Sequence, residues 1–218
     1  MENTKAKNMA ETARHRSNVY GLLAMIYREE PTAVLLRGIT DKGFLSVLSN
    51  LGIKFDKGFF DQPEKKLLED LSVEFARLFL GPGRHISPHE SVHHERADGD
   101  WGRLWGRSTV EVKKFVESLG FQYKSDYKGL PDHISVELEF MHELTKNEAD
   151  ALEAEDIESA LKCREIEKKF IKEHLLKWIP AFSGKIINEA ELSFYREMAR
   201  LTKSFIEIEK TECLEGLH

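Results

Sequence analysis

The chain has 218 residues, with 38 acidic against 32 basic side chains and a formal charge of −6 at neutral pH. Apolar residues make up 41% and charged residues 32%, with only 6 prolines, which excludes a disordered or collagen-like polymer. The acidic surplus disfavours general nucleic-acid binding, since that needs a basic face.

Helical spacing dominates from the start. After a polar opening, Val19, Leu22, Leu23, Ile26 and Tyr27 form one stripe at the i, i+3, i+4 spacing of an amphipathic helix. Pro31 ends it, because proline disfavours helix in the residue before it. A second apolar stretch runs from Val34 to Leu51, and 52–63 reads as a loop with Phe55, Phe59 and Phe60 turned inward. Pro63 suits the first position of the next helix, whose stripe is Leu67, Leu71, Phe75 and Leu78. Gly81 is expected as a left-handed cap, with Pro82 just beyond. Residues 82–99 read as loop, and the next helix is expected from about Asp100 to Leu119, carrying Trp101 and Trp105 one turn apart. Trp101, Trp105 and Trp178 read as core or cleft-wall residues.

The stretch from Phe121 to Pro131 is a polar, aromatic linker before a helix marked by Ile134, Leu138, Met141 and Leu144. A charged helix is expected from about Glu153 to Trp178, with Cys163, Ile166, Phe170 and His174 inward and Pro180 interrupting it. The last helix carries Leu192, Tyr195, Ala199, Thr202 and Phe205 on one face. No segment alternates as a strand does. The expectation is an all-α chain, a single-domain bundle of roughly eight or more helices over 1–218, with a hinge-like linker near 121–133.

Cys163 and Cys213 form no C-x-x-C pair, so neither a disulfide framework nor a cysteine metal site is supported. No apolar run approaches the ~20 residues that span a bilayer. The segment 1–16 has no apolar core of a secretory signal, so stable membrane insertion is not expected and a cytoplasmic protein is.

His89-Glu90-Ser91-Val92-His93 fits H-E-x-x-H, in which two imidazoles one turn apart bind zinc beside a general-base glutamate. His85 and His94 lie close by. A zinc-dependent hydrolase using His89, Glu90 and His93 is therefore the alternative function. Its context argues against it. Pro88 stands directly before His89, so His89 lies at best in a first helical turn. A P-loop is absent: Gly38 and Gly43 have the right gap, but Phe44 stands where lysine is needed. Neither G-x-S-x-G nor G-x-G-x-x-G occurs. Pro131-Asp132-His133 stands where the Ile134 helix begins, so Asp132 is expected as its N-cap. The adjacent Asp-His pair could also meet a ligand's charged groups.

Several blocks together resemble one family. Glu74-Phe75-Ala76-Arg77-Leu78-Phe79-Leu80-Gly81-Pro82-Gly83 is similar to the F-x-x-L-F-x-G-P segment of the TorD-like chaperones, the redox enzyme maturation proteins. Pro88 followed by Ser91-Val92 resembles the family's next block, and Pro131-Asp132-His133 with Glu137 and Leu138 its Asp-His hinge. Ser17 to Leu23 and the stretch from His174 to Thr202 fit as well, so the similarity spans nearly the whole chain. One departure is His89, where relatives often carry Tyr or Trp.

The resemblance implies an all-α, non-enzymatic cytoplasmic chaperone without metal or cofactor. Its partners would be the twin-arginine signal peptide and the apo form of a molybdopterin oxidoreductase subunit, held until cofactor insertion. The family also brings weak guanine-nucleotide binding and a monomer or domain-swapped dimer as expectations. Carried over by motif, the signal-peptide residues are Leu78, Phe79, Gly81, Pro82, Pro88, Ser91, Pro131, Asp132 and His133. Phe79 is expected to turn toward an apolar groove.

Overall fold

The computed structural model describes residues 2–50, 52–81, 83–123 and 128–215, with side chains from 7 to 212 within those ranges. Among them, nine continuous helical segments form the fold and no strand occurs. In chain order they begin with α1 (Glu2–Arg28), α2 (Ala33–Ile39) and α3 (Lys42–Asn50). Next comes α4 (Glu64–Phe75), which continues as a π turn (Ala76–Leu80). After α5 (Glu90–His93), α6 (Arg107–Ser118) and α7 (Ile134–Glu153), α8 (Ile157–Phe170) runs through a second π turn (Ile171–Leu175) into α9 (Leu176–Glu189). The last is α10 (Ser193–Glu215).

α1 and α7 form the spine. Arg14 pairs with Asp150, Arg16 with Glu148 and Arg28 with Glu139, so the two helices run antiparallel. Gly21 permits the close approach: a Cβ there would sit 3.0 Å from the His142 ring. α10 also runs antiparallel to α1, since Tyr20 donates to Glu209 and Tyr27 meets Thr202. Between them Trp178, Phe182, Phe79, Tyr27, Phe75 and Tyr195 fill a continuous aromatic core. Burying each large side chain contributes roughly 1.5–3 kcal/mol.

The apolar stretch that begins at Val34 forms two helices: Thr40 closes α2, and the Asp41 carboxylate accepts the Phe44 N–H as α3 opens. Other expectations are corrected. The 100–119 helix begins only at Arg107. Gly99, Gly102 and Trp105 stand at φ +75°, +82° and +63°, left-handed values that break a right-handed helix. Trp101 and Trp105 are consequently solvent-exposed, while Trp178 is core.

Gly81 is extended (φ −65°, ψ 150°) rather than a left-handed cap. Pro82 lies outside the described residues. Pro180 sits inside α9 instead of interrupting it. A helix-interior proline costs about 3 kcal/mol. Burial of Trp178, Ile179 and Phe182 around it offsets that cost.

Candidate functional site at the Asp-His hinge

The loop before α5 and the turn before α7 meet in an isolated antiparallel bridge between His89 and His133. The Ile134 N–H donates to the Pro88 carbonyl at 2.9 Å and the Glu90 N–H to the Asp132 carbonyl at 3.0 Å. The two imidazoles lie edge to face, with centroids 5.0 Å apart. Burial lowers both from their ordinary value, His133 to about 3, with the facing His89 and the Arg28 guanidinium adding to the effect. Both rings are therefore neutral at neutral pH.

Asp132 does not cap its own helix. That position belongs to His133, whose Nδ1 accepts the Ser135 N–H at 3.2 Å. The Asp132 carboxylate instead crosses the bridge and accepts the Ser91 N–H at 2.9 Å, capping the first turn of α5. The backbone turn decides this, because the bridge points the Asp132 side chain toward α5. Its second oxygen, Oδ1, and the Ser91 hydroxyl are buried without a protein partner among the described residues.

Beneath the bridge lies a wholly buried acidic centre. Glu90 accepts from His94 at 2.7 Å and from His174 at 2.8 Å. Burial would raise its carboxyl, but bonds from the His174 and His94 rings outweigh burial and hold it below the ordinary range. Glu137 accepts the Trp178 indole N–H at 3.1 Å. Burial, reinforced by the neighbouring Glu90 charge, pushes the Glu137 carboxyl well above the ordinary range. One carboxylate is ionised and its neighbour keeps its proton, as two acids sharing one pocket require.

The H-E-x-x-H pattern does not assemble as a metal centre. His89 precedes the helix in extended conformation. The His93 Nε2 donates to the Ser87 carbonyl at 2.7 Å, and its Nδ1 accepts from Lys185 at 3.1 Å. Burial lowers His93 to about 4, so it is neutral and suited to receive that lysine bond. Glu90 is spent on two other histidines. Among the described residues no group of three metal-binding side chains comes together.

The carried-over residues divide into two sets. Pro88, Ser91, Pro131, Asp132 and His133 converge on the hinge, with Pro131 and His133 partly exposed and the other three buried. Leu78 and Phe79 do not face a groove: both are core residues. Phe79 packs against Tyr27, Phe75, Phe182 and Tyr195. A π turn is wound more widely than an α-helix, and this one brings both side chains inward. Glu74 and Arg77 of the same block are structural as well. Glu74 accepts the Glu191 and Leu192 N–H groups at 2.7 and 3.3 Å, and Arg77 donates to the Glu189 carbonyl. That block clamps the α9–α10 junction.

Sequence reasoning missed the roles of Glu90, Glu137 and His174 as one buried cluster, because they come from α5, α7 and a π turn. It also missed an exposed apolar loop beside the hinge, formed by Trp101, Leu104 and Trp105. That loop is fastened to α5 by the Gly102 N–H donating to the Ser91 carbonyl at 3.0 Å. Arg96 and Arg107 bridge Asp98 and Glu111 to brace it.

Among the described residues no helix is long and apolar enough to cross a membrane. The all-helical fold is shared with a structure described as a redox enzyme maturation protein from Archaeoglobus fulgidus, which superposes with a TM-score of 0.54 over 88% of this chain and 93% of its own, at 20% identity. The family model described as nitrate reductase delta subunit matches residues 40–183, and the chain belongs to that family, which includes the TorD chaperones. The chaperone protein TorD of Vibrio cholerae is 26% identical over 195 residues, covering 88% of this chain and 82% of that protein. The TorD of Vibrio atlanticus is 25% identical over 227 residues, covering 99% and 100%. The family consists of chaperones for molybdoenzyme maturation, with an oxidoreductase as partner, and not of catalysts.

Proposed function

We propose that this chain binds the twin-arginine signal peptide of a molybdenum-containing oxidoreductase subunit at the hinge face. It holds the apo subunit in the cytoplasm until the cofactor is inserted. The observation that supports this reading is the convergence of Pro88–Ser91 with Pro131–His133, distant in sequence, into one bridged surface over buried carboxylates. A pair of guanidinium groups needs negative charge and fixed acceptors. Asp132 and ionised Glu90 supply negative charge beside the neutral His89–His133 pair.

Asp132→Asn tests it. Asparagine can still accept the Ser91 N–H, so the fold should hold, while the charge is gone. Affinity for an Arg-Arg peptide, measured by calorimetry, should fall by about 1.5–3 kcal/mol, the worth of a charge-assisted bond. Wild-type binding should weaken with salt more steeply than the variant's. A Lys-Lys peptide should bind less well, since lysine lacks the bidentate fork. Equal affinity of wild type and Asp132→Asn at low salt would remove the hinge from the binding site.

A further inference from the structure

With Phe79 buried, the apolar half of such a peptide needs another surface. The structure offers a groove between α1, α2 and α3, a cavity of about 480 Å³. Its floor is Leu22, Leu35, Ile39 and Phe44, and its walls are Met25 and Val34. Val34 is 79% exposed and Met25 51%, an arrangement that leaves apolar side chains facing water around a concavity. Concave, mostly apolar cavities of about 300–1,000 Å³ are the usual form of ligand sites.

Charge selects the occupant. Glu29 and Glu30 stand exposed on the rim, and among the described residues neither has an ion-pair partner. The one rim cation, Arg28, is already paired with Glu139 of α7. Glu139 stands on α7, the helix that His133 caps, so this ion pair links the groove's rim to the helix that leads from the hinge. An acidic rim running into an apolar concavity complements a segment with basic residues followed by an apolar stretch. The exposed Trp101–Trp105 loop is the rival surface. There the charges of Arg96, Asp98, Arg107 and Glu111 are closed on one another, so the carboxylates that brace the loop are already neutralised.

We infer that the α1–α2–α3 groove holds the apolar stretch that follows the arginine pair of the signal peptide. This rests on the hinge reading above and adds a second half to the site. Gly38 provides the probe. It lies on α2 in the groove lining, and a Cβ there meets nothing within 4 Å, so Gly38→Trp should fill the groove without disturbing the helix. Val34→Glu is the second variant, placing a charge on the groove wall at a largely exposed position outside the core.

Two synthetic peptides would be titrated, both beginning with Arg-Arg, one continuing with a leucine-alanine stretch and the other with serine-glycine. The wild-type chain should prefer the apolar peptide tenfold or more. Gly38→Trp and Val34→Glu should lose that preference while binding the polar peptide as before, and Trp105→Ala should keep it. If both groove variants keep the wild-type preference, or if Trp105→Ala abolishes it, the groove assignment is overturned. A wild-type chain that binds both peptides equally also overturns it and leaves the hinge reading standing. A chain that binds neither overturns the hinge reading and this inference with it.

Discussion

Two buried polar centres lie in this bundle, and they are built on opposite plans. In the first, Arg16 reaches Glu148 at 2.8 Å and both Glu167 and Glu209 at 2.6 Å, joining α1, α7, α8 and α10 around one guanidinium. In the second, at the hinge, Glu90 and Glu137 are held by imidazole and indole groups. A guanidinium cannot be deprotonated in a protein, so the Arg16 centre keeps its cation at every pH and binds the helices permanently. The hinge centre has neutral His93 and His133 around it, and among the described residues each centre leaves carboxylate oxygens without a protein partner, Glu167 Oε1 in the first and Asp132 Oδ1 and Glu137 Oε1 in the second. One centre is tied together by a permanent cation, the other by imidazole and indole groups.

The sharpest way to break this comparison is to remove the permanent cation. Arg16→Leu would strand three buried carboxylates, and losing one side of a buried ion cluster costs about 3–5 kcal/mol. Urea unfolding of the variant should show a loss of that size; a loss below about 1 kcal/mol, the level of a surface pair, would make the cluster decorative. Phe79→Ala probes the apolar core beside the hinge. A core aromatic truncation costs about 3–5 kcal/mol, so its melting temperature should drop sharply; an unchanged melt would return Phe79 to the surface.

A finer contrast is in pH. Burial, together with Glu148, pushes Glu167 from 4.5 up to about 7, against the lowering influence of Arg16 and Arg164. A raised carboxyl binds its proton more tightly folded than unfolded. Stability is then intact below about pH 4.5 and declines as pH rises toward 7, by at most about 1.4 kcal/mol per pH unit. Glu167→Gln should flatten that decline. Glu137, raised in the same sense, is present in both proteins, so the difference between their pH curves isolates Glu167. Parallel curves would show that Glu167 is ionised throughout.

The smallest effect belongs to the hinge surface. His133→Asn keeps an N-cap acceptor, since asparagine is among the best capping residues. Thermal stability should change by only a few tenths of a kcal/mol, within the usual range for such sites. A loss of several kcal/mol would make the His89–His133 contact a structural clamp like Arg16.

The apolar stripes alone specified most helices. Leu67, Leu71, Phe75 and Leu78 repeat at helical spacing and lie in the core, because an amphipathic helix can bury only one face. The motif at 131–133 was equally legible as the start of a helix, whereas the short α5 lies inside the 82–99 stretch that reads as loop. What only the tertiary structure decided was where side chains point once helices are broken or widened. Asp132 looked like the cap of the following helix, yet the bridge to His89 turns its carboxylate onto Ser91. Phe79 looked like a groove residue, yet a π turn carries it into the core. Pro180 looked like a break, yet the burial of Trp178 and Phe182 holds the helix through it. Helical periodicity is a local property and can be read along the chain. The direction of a side chain in a turn, and the burial that overrides a local penalty, depend on partners a hundred residues away.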